Sequence, residues 1–226
     1  MNRENLTPAI EDYLKIIYKL TARHGRASTT QIAEAMEVKP ASVTGMVQRL
    51  AATDPPLVEY RKHRGVVLTP TGERAALEIL RHHRLLEHFL HETLGFSWDQ
   101  VHEEADRLEH VISEEFEERL AQVLGDPTHD PHGDPIPTRD LKMPAYAILC
   151  LADLRAGQRA IVKRVQDKDP EMLRYLGEIG VVPEARFEVI EYSPFDGNLK
   201  IQLYGRDEPL VLGTSITCEV FVEIVS

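Results

Sequence analysis

Apolar residues near the start of the chain recur at helical spacing. Ile10, Leu14, Ile17 and Tyr18 share one face, with Tyr13 beside them. Thr7 before Pro8 marks a helix start, and Gly25 marks its end. Ser28-Thr29-Thr30-Gln31 has the form of a capping box and opens a short helix that turns Ile32, Ala33 and Met36 inward. Pro40 starts a third helix to about Leu50, with Val43, Met46, Val47 and Leu50 on its apolar face. Two short alternating runs, 57–61 and 66–69, predict strands joined by a tip at Lys62-His63-Arg64-Gly65. Thr69-Pro70-Thr71-Gly72 opens a long helix to about Leu94. Ser97-Trp98-Asp99-Gln100 reads as another capping box, with a helix from Trp98 to Val111, and Ser113 caps one more to about Leu124.

The pattern then changes. Residues 125–144 hold Pro127, Pro131, Pro135, Pro137 and Pro144, a density no helix interior tolerates, so they predict a structured loop and linker. Beyond it come short strands at 161–162, 187–190, 199–203, 209–212 and 219–224, interrupted by a helix near Met172–Glu178. This predicts a small β-barrel. The fold class is mainly α with a small β-domain. It divides into a winged helix-turn-helix at 1–73, a helical domain at 74–143 and the barrel at 144–226.

Helix, short helix, turn, helix and two-stranded wing is the order of a DNA-reading module whose third helix enters the major groove. Lys39, Ser42, Thr44, Gln48 and Arg49 are its polar reading positions. Lys62, His63 and Arg64 at the wing tip suit phosphates, as do Thr29 and Thr30 at a helix N-terminus. A plain helical bundle would explain these side chains as a solvated face, but not a basic tip between two strands. The reading helix begins with no Arg or Asn to grip a base bidentately, so it does not spell out a target.

Charge first seems to oppose this reading. The 226 residues carry 26 Lys+Arg against 37 Asp+Glu, a net of −11, and an acidic surface repels phosphates. Divided along the chain, residues 1–76 are net +3, 77–143 net −10 and 144–226 net −4. Eight of the ten histidines lie in the acidic middle. There His102, Asp106, Glu109 and His110 stand at offsets 0, 4, 7 and 8, one helical face at about 100° per residue. His83 and Glu87 repeat the i, i+4 spacing on the preceding helix. Six such groups left unpaired in a core would cost several kcal/mol. Carboxylate and imidazole donors suit Mn(II) or Fe(II) better than Cu(I) or structural zinc. His82, His88, His91, His129 and His132 read as solvated. Two distant cysteines exclude a disulfide scaffold and a Cys-rich zinc site. No apolar run spans a membrane and the N-terminus has no signal-peptide pattern, so a cytoplasmic protein is expected.

The motifs together resemble the diphtheria-toxin-repressor family of metal-dependent transcriptional repressors, over nearly the whole chain. The resemblance rests on Ile10-Glu11-Asp12-Tyr13-Leu14, on Ser42-Val43-Thr44 with Met46-Val47, and on Leu68-Thr69-Pro70-Thr71-Gly72. It extends to the segment 82–87, the long segment 101–111, and Gly133-Asp134-Pro135-Ile136-Pro137. It implies a primary metal site of Asp12, Asp106, Glu109 and His110, and an ancillary site of His83, Glu87 and His102 with a tail ligand, Glu171 or the nearby Asp169. Iron-responsive members have Met and Cys where this chain has Asp12 and Asp106, so the resemblance leans towards Mn2+, with Fe2+ as the alternative. Lys15 stands where manganese regulators often have a ligating Glu, which favours two separate sites over a paired-metal one. The resemblance further implies a homodimer on a palindromic double-stranded DNA operator, controlling metal-transport and homeostasis genes.

Two other classes compete. A carboxylate-bridged metalloenzyme would need Glu-x-x-His on two helices, and no histidine here has Glu three residues before it. His-Glu-x-x-His, P-loop and Gly-x-Ser-x-Gly motifs are also missing. A winged-helix regulator with an organic effector sensed by the tail is the second rival.

Overall fold

The structure is a computed structural model and describes residues 6–166 and 169–225. These form two compact units. One comprises the chain up to His82 with 109–112 and 137–143. The other comprises 83–108, 113–136 and the chain from Pro144.

In the first unit, α1 (Pro8–His24), α2 (Thr29–Ala35) and α3 (Pro40–Ala51) are followed by the hairpin β1 (Val58–Arg61) and β2 (Gly65–Leu68), paired Val58↔Leu68 to Arg61↔Gly65. Both halves of the Ser28–Gln31 capping box are made. Leu14, Ile17, Ile32, Val43, Val47, Leu50 and Val66 are buried together as its core. The long helix α4 (Pro70–Glu92) starts where Thr69 Oγ1 accepts from Gly72 N (3.2 Å) and donates to Pro56 O (2.6 Å). Gly72 is needed there for closeness: a Cβ would sit 1.9 Å from Leu57 O.

The second unit contains the rest of α4, then α5 (Val101–Leu108) and α6 (Glu114–Val123), the latter capped by Ser113 as expected. The expected helix from Trp98 to Val111 is shorter than its pattern, and Ser97 does not open it. The Trp98 ring packs against the tail core and Asp99 accepts from Arg174 Nη1 (2.9 Å). Burial pushes the Asp99 carboxyl up, but hydrogen bonds from Ser97 and Arg174 outweigh it and hold it below the usual range. Residues 98–100 therefore form a turn.

The tail is an antiparallel sheet of β3 (Arg159–Val165), β4 (Arg186–Tyr192), β5 (Leu199–Leu203), β6 (Leu210–Leu212) and β7 (Val220–Val225), ordered β6-β5-β4-β3-β7. Its helix α7 (Pro170–Ile179) is capped by Asp169, and a short α8 (Thr214–Thr217) precedes β7. Leu154, Val162, Leu173, Leu176, Phe187, Val189 and Ile201 fill the core. Among the described residues no helix is long and apolar enough to cross a membrane.

Candidate metal centre

The DNA-facing expectations meet an exposed surface of the first unit. Lys39 stands before α3, and Ser42, Gln48 and Arg49 are exposed along it. Thr44 is half-buried, its hydroxyl donating to Pro40 O (3.1 Å). Thr29 and Thr30 occupy the first turn of α2, half-buried and exposed respectively, and Lys62, His63 and Arg64 project from the wing tip.

The same unit holds a cluster of Asp12, Glu109 and His110. Asp12 comes from α1, while Glu109 and His110 lie in the turn that ends α5. His110 Nδ1 donates to the buried Glu11 carboxylate (2.6 Å), which can only accept. That leaves Nε2 as the lone-pair nitrogen, 3.2 Å from Asp12 Oδ1 and 3.4 Å from Glu109 Oε1. A carboxylate behind the imidazole fixes its tautomer and raises its basicity as a ligand. Glu109 is fully buried and its Oε1 meets Lys15 Nζ at 2.5 Å, so this cationic side chain already neutralises one donor. His82 is not solvated as expected: it is fully buried, with Nδ1 donating to Glu109 O (3.2 Å), because Glu109 folds back over α4.

In the second unit, His83 Nε2, His102 Nδ1 and Glu87 Oε1 are mutually 3.0 Å apart. Donors about 2.1 Å from one octahedral ion stand about 3.0 Å from each other. The expectation placed Asp106 with Asp12. The structure sets its carboxylate against His83 Nδ1 (3.3 Å) and His102 Nε2 (3.7 Å), and His83, His102 and Asp106 form a cluster. Glu171 is exposed in the first turn of α7, and no hydrogen bond or ion pair joins its carboxylate to these groups among the described residues. Asp169 spends its carboxylate on the helix cap, accepting from Glu171 N (2.9 Å) and Met172 N (3.3 Å).

A third cluster, Glu87, Asp130 and His132, is wholly buried. His132 corrects the expectation of a solvated loop histidine: its exposure is 0%. Its Nε2 donates to Trp98 O (2.7 Å), so Nδ1 is the lone-pair nitrogen. Both that Nδ1 and Glu87 Oε2 are buried without a hydrogen-bond partner. Buried polar atoms in such a state call for an explanation, and a cation between them is a fitting one. Burial pushes Glu87 up, but His83, hydrogen bonds from His102 and His83, and His132 outweigh it and hold it well below the carboxylate range. Glu87 stood out in the sequence, but its partners show there only as Asp130 and His132 two apart in a proline-punctuated loop.

Comparison with known proteins supplies the decisive observation. Residues 5–66 match the family model of the iron dependent repressor N-terminal DNA binding domain. Residues 69–138 match that of the iron dependent repressor metal binding and dimerisation domain, and 149–224 a FeoA domain. The chain is 34% identical to the iron-dependent repressor IdeR of Mycobacterium leprae, over 90% of this chain and 92% of that one.

The chain belongs to the diphtheria-toxin-repressor family of metal-dependent transcriptional repressors.

Within this family it is also 40% identical to the regulator MntR of Lysinibacillus sphaericus, over 52% of this chain and 83% of that one. Among solved structures, a manganese-dependent transcriptional repressor in complex with manganese superposes with a TM-score of 0.89 at 36% identity, covering 96% of this chain and all of that one. ScaR with bound Zn2+ gives 0.80 at 32%, covering 96% and 99%. This repressor family is one of DNA-binding regulators with a dimerisation domain, not of enzymes.

Proposed function

We propose that the protein is a manganese-dependent DNA-binding repressor of metal-ion transport and homeostasis genes. The observation that carries this reading is the Asp12–Glu109–His110 cluster, in which Glu11 turns a lone-pair imidazole nitrogen towards two carboxylates. These donors are oxygen and imidazole, without thiolate or thioether, which suits Mn(II). Fe(II) accepts the same donors and is the second reading, favoured by the relatives named iron-dependent repressors.

A bound divalent cation supplies the positive charge that lets these carboxylates converge. Asp12 belongs to α1, the first helix of the DNA-reading module, while Glu109 and His110 return to that unit from beyond α5. Holding the three donors together therefore fixes α1 against the 109–112 segment. Ligand binding of this kind shifts a population towards one arrangement only if it favours that arrangement. In our reading, Glu87 serves the second site with His83 and His102. Glu171 remains the proposed tail ligand, requiring movement of α7. A homodimer then presents two α3 helices to a palindromic operator, with half-sites about one helical turn apart. The proposed domain limits are 1–73, 74–143 and 144–226, with the tail sheet curling into an SH3-like barrel, and the place of action is the cytoplasm.

Gel-shift titration with Mn(II), Fe(II) and Zn(II) at matched free-ion levels tests this. Operator affinity should rise with Mn(II), vanish with chelator, and lose its metal response in D12A. Equal affinity with and without metal would overturn the reading. Stronger activation by Fe(II) would select the iron alternative.

A further inference from the structure

The loop that carries Asp130 and His132 is held by the tail sheet. Strand β4 pairs with β3 over Arg159–Ile161, and Val162 N donates to Ala185 O while Val162 O accepts from Glu184 N, so that edge of β3 is open only beyond Val162. The register of β3 on β7 also shifts between Val162 and Arg164, so Lys163 is the extra residue of a bulge. Bulges re-aim the backbone and side chains of the strand that contains them. Here the loop takes the open edge. Val165 N donates to His132 O (2.9 Å), and Gly133, at φ +86°, approaches so closely that a Cβ would lie 2.0 Å from Lys163 O.

The bulge also directs Arg164. This side chain is 7% exposed, with its guanidinium carbon 3.8 Å from the Phe221 ring centre and 5.4 Å from that of Tyr146. Its Nη1 donates to Asp134 Oδ1 at 3.2 Å. The same oxygen lies 3.5 Å from Arg84 Nη2, and Arg84 Nε lies 3.6 Å from Asp130 Oδ2. Asp130 Oδ1 accepts from both His132 N and Asp134 N at 2.9 Å. An alternating chain of charges thus runs from the tail to the loop: Arg164, Asp134, Arg84, Asp130. A buried guanidinium is costly unless it is paired, and pairing through a rigid fork fixes geometry.

We propose that Arg164 is a positioning residue for the Glu87–Asp130–His132 group, through which the tail sets how well that group binds a divalent cation. This rests on reading the group as a metal site. Among the described residues, no hydrogen bond or ion pair joins Arg164 to Glu87, Asp130 or His132. It holds Asp134, which anchors Arg84 and with it the Asp130 carboxylate. Without Arg164, Asp134 is left to Arg84 alone, and the loop loses its charged link to β3.

The test is Mn(II) calorimetry on the full chain, with the contribution of this group defined as the component lost in H132Q. R164M keeps the stem between the rings and removes the charge. It should weaken that component about tenfold, the lower end of what outer partners of ligands contribute, while leaving the D12A-sensitive component unchanged. R164K should recover part of the loss. D134N cuts the same link from the loop side and should reproduce the effect, which keeps the test open if R164M folds poorly. A merely structural role would lower the metal-free Tm of these variants and leave the affinity as it was. That result, or equal weakening of both components, overturns the proposal. If the wild-type chain shows no H132Q-sensitive component, the metal reading of this group is itself wrong, and the proposal falls with it.

Discussion

Glu11 shows how one residue prepares a ligand without being one. Its carboxylate accepts from His110 Nδ1, and that single bond decides which imidazole nitrogen faces Asp12 and Glu109. E11Q keeps the shape but loses the negative charge that accepts from the ring. It should weaken Mn(II) binding at the Asp12 cluster by about tenfold, read by calorimetry as a change in the D12A-sensitive component. An unchanged affinity would mean that His110 orients itself. Lys15 acts in the opposite sense. Its ammonium sits on Glu109 Oε1, so a buried carboxylate is never left unpaired in the metal-free protein.

At the scale of elements, the local signals that could be read were those that neighbours satisfy. The Ser28–Gln31 box, the Pro8 and Pro40 starts and the wing all depend on residues within a few positions, and they stand as the pattern implies. Ser97 to Gln100 carries an equally good local pattern and fails, because Trp98 and Asp99 have stronger partners in the tail, some 75 residues away in Arg174. His132 escaped for the same reason: its burial depends on the edge of β3, which no local spacing reveals. The His83, Glu87 and His102 convergence was legible because each helix offers i, i+4 pairs, whereas helical spacing did not reveal that the Asp106 carboxylate faces His83 Nδ1 and His102 Nε2. Gly72 joins the wing to α4 by contact rather than by flexibility. G72A forces apart backbone that has no room, and should cost about 3 kcal/mol, the upper part of the overpacking range, in urea denaturation. A loss below about 0.5 kcal/mol would show that the joint can yield.

At the scale of the molecule, the net charge of −11 is concentrated in residues 77–143, which hold every member of the three clusters except Asp12. Cations in these clusters relieve repulsion among carboxylates and stabilise only the folded state. Each site held at 100 times its Kd adds about 2.7 kcal/mol. In a chain of this size that is a rise of about 5–10 °C in Tm. Chelation should reverse it, in a calorimetric scan with and without EDTA. An unchanged Tm would show that the clusters are already satisfied by their own hydrogen bonds.

Trp98, the single tryptophan of the chain, stacks on His132 with ring centres 5.8 Å apart and planes 25° from parallel, while its own carbonyl accepts from His132 Nε2. The protein therefore carries its own optical gauge. An indole emits according to the charge and polarisability of what lies against its face, and all tryptophan emission from this chain originates beside one buried histidine. Tryptophan fluorescence reports on that loop and on the tail core the indole packs against, with no dye and no engineered label.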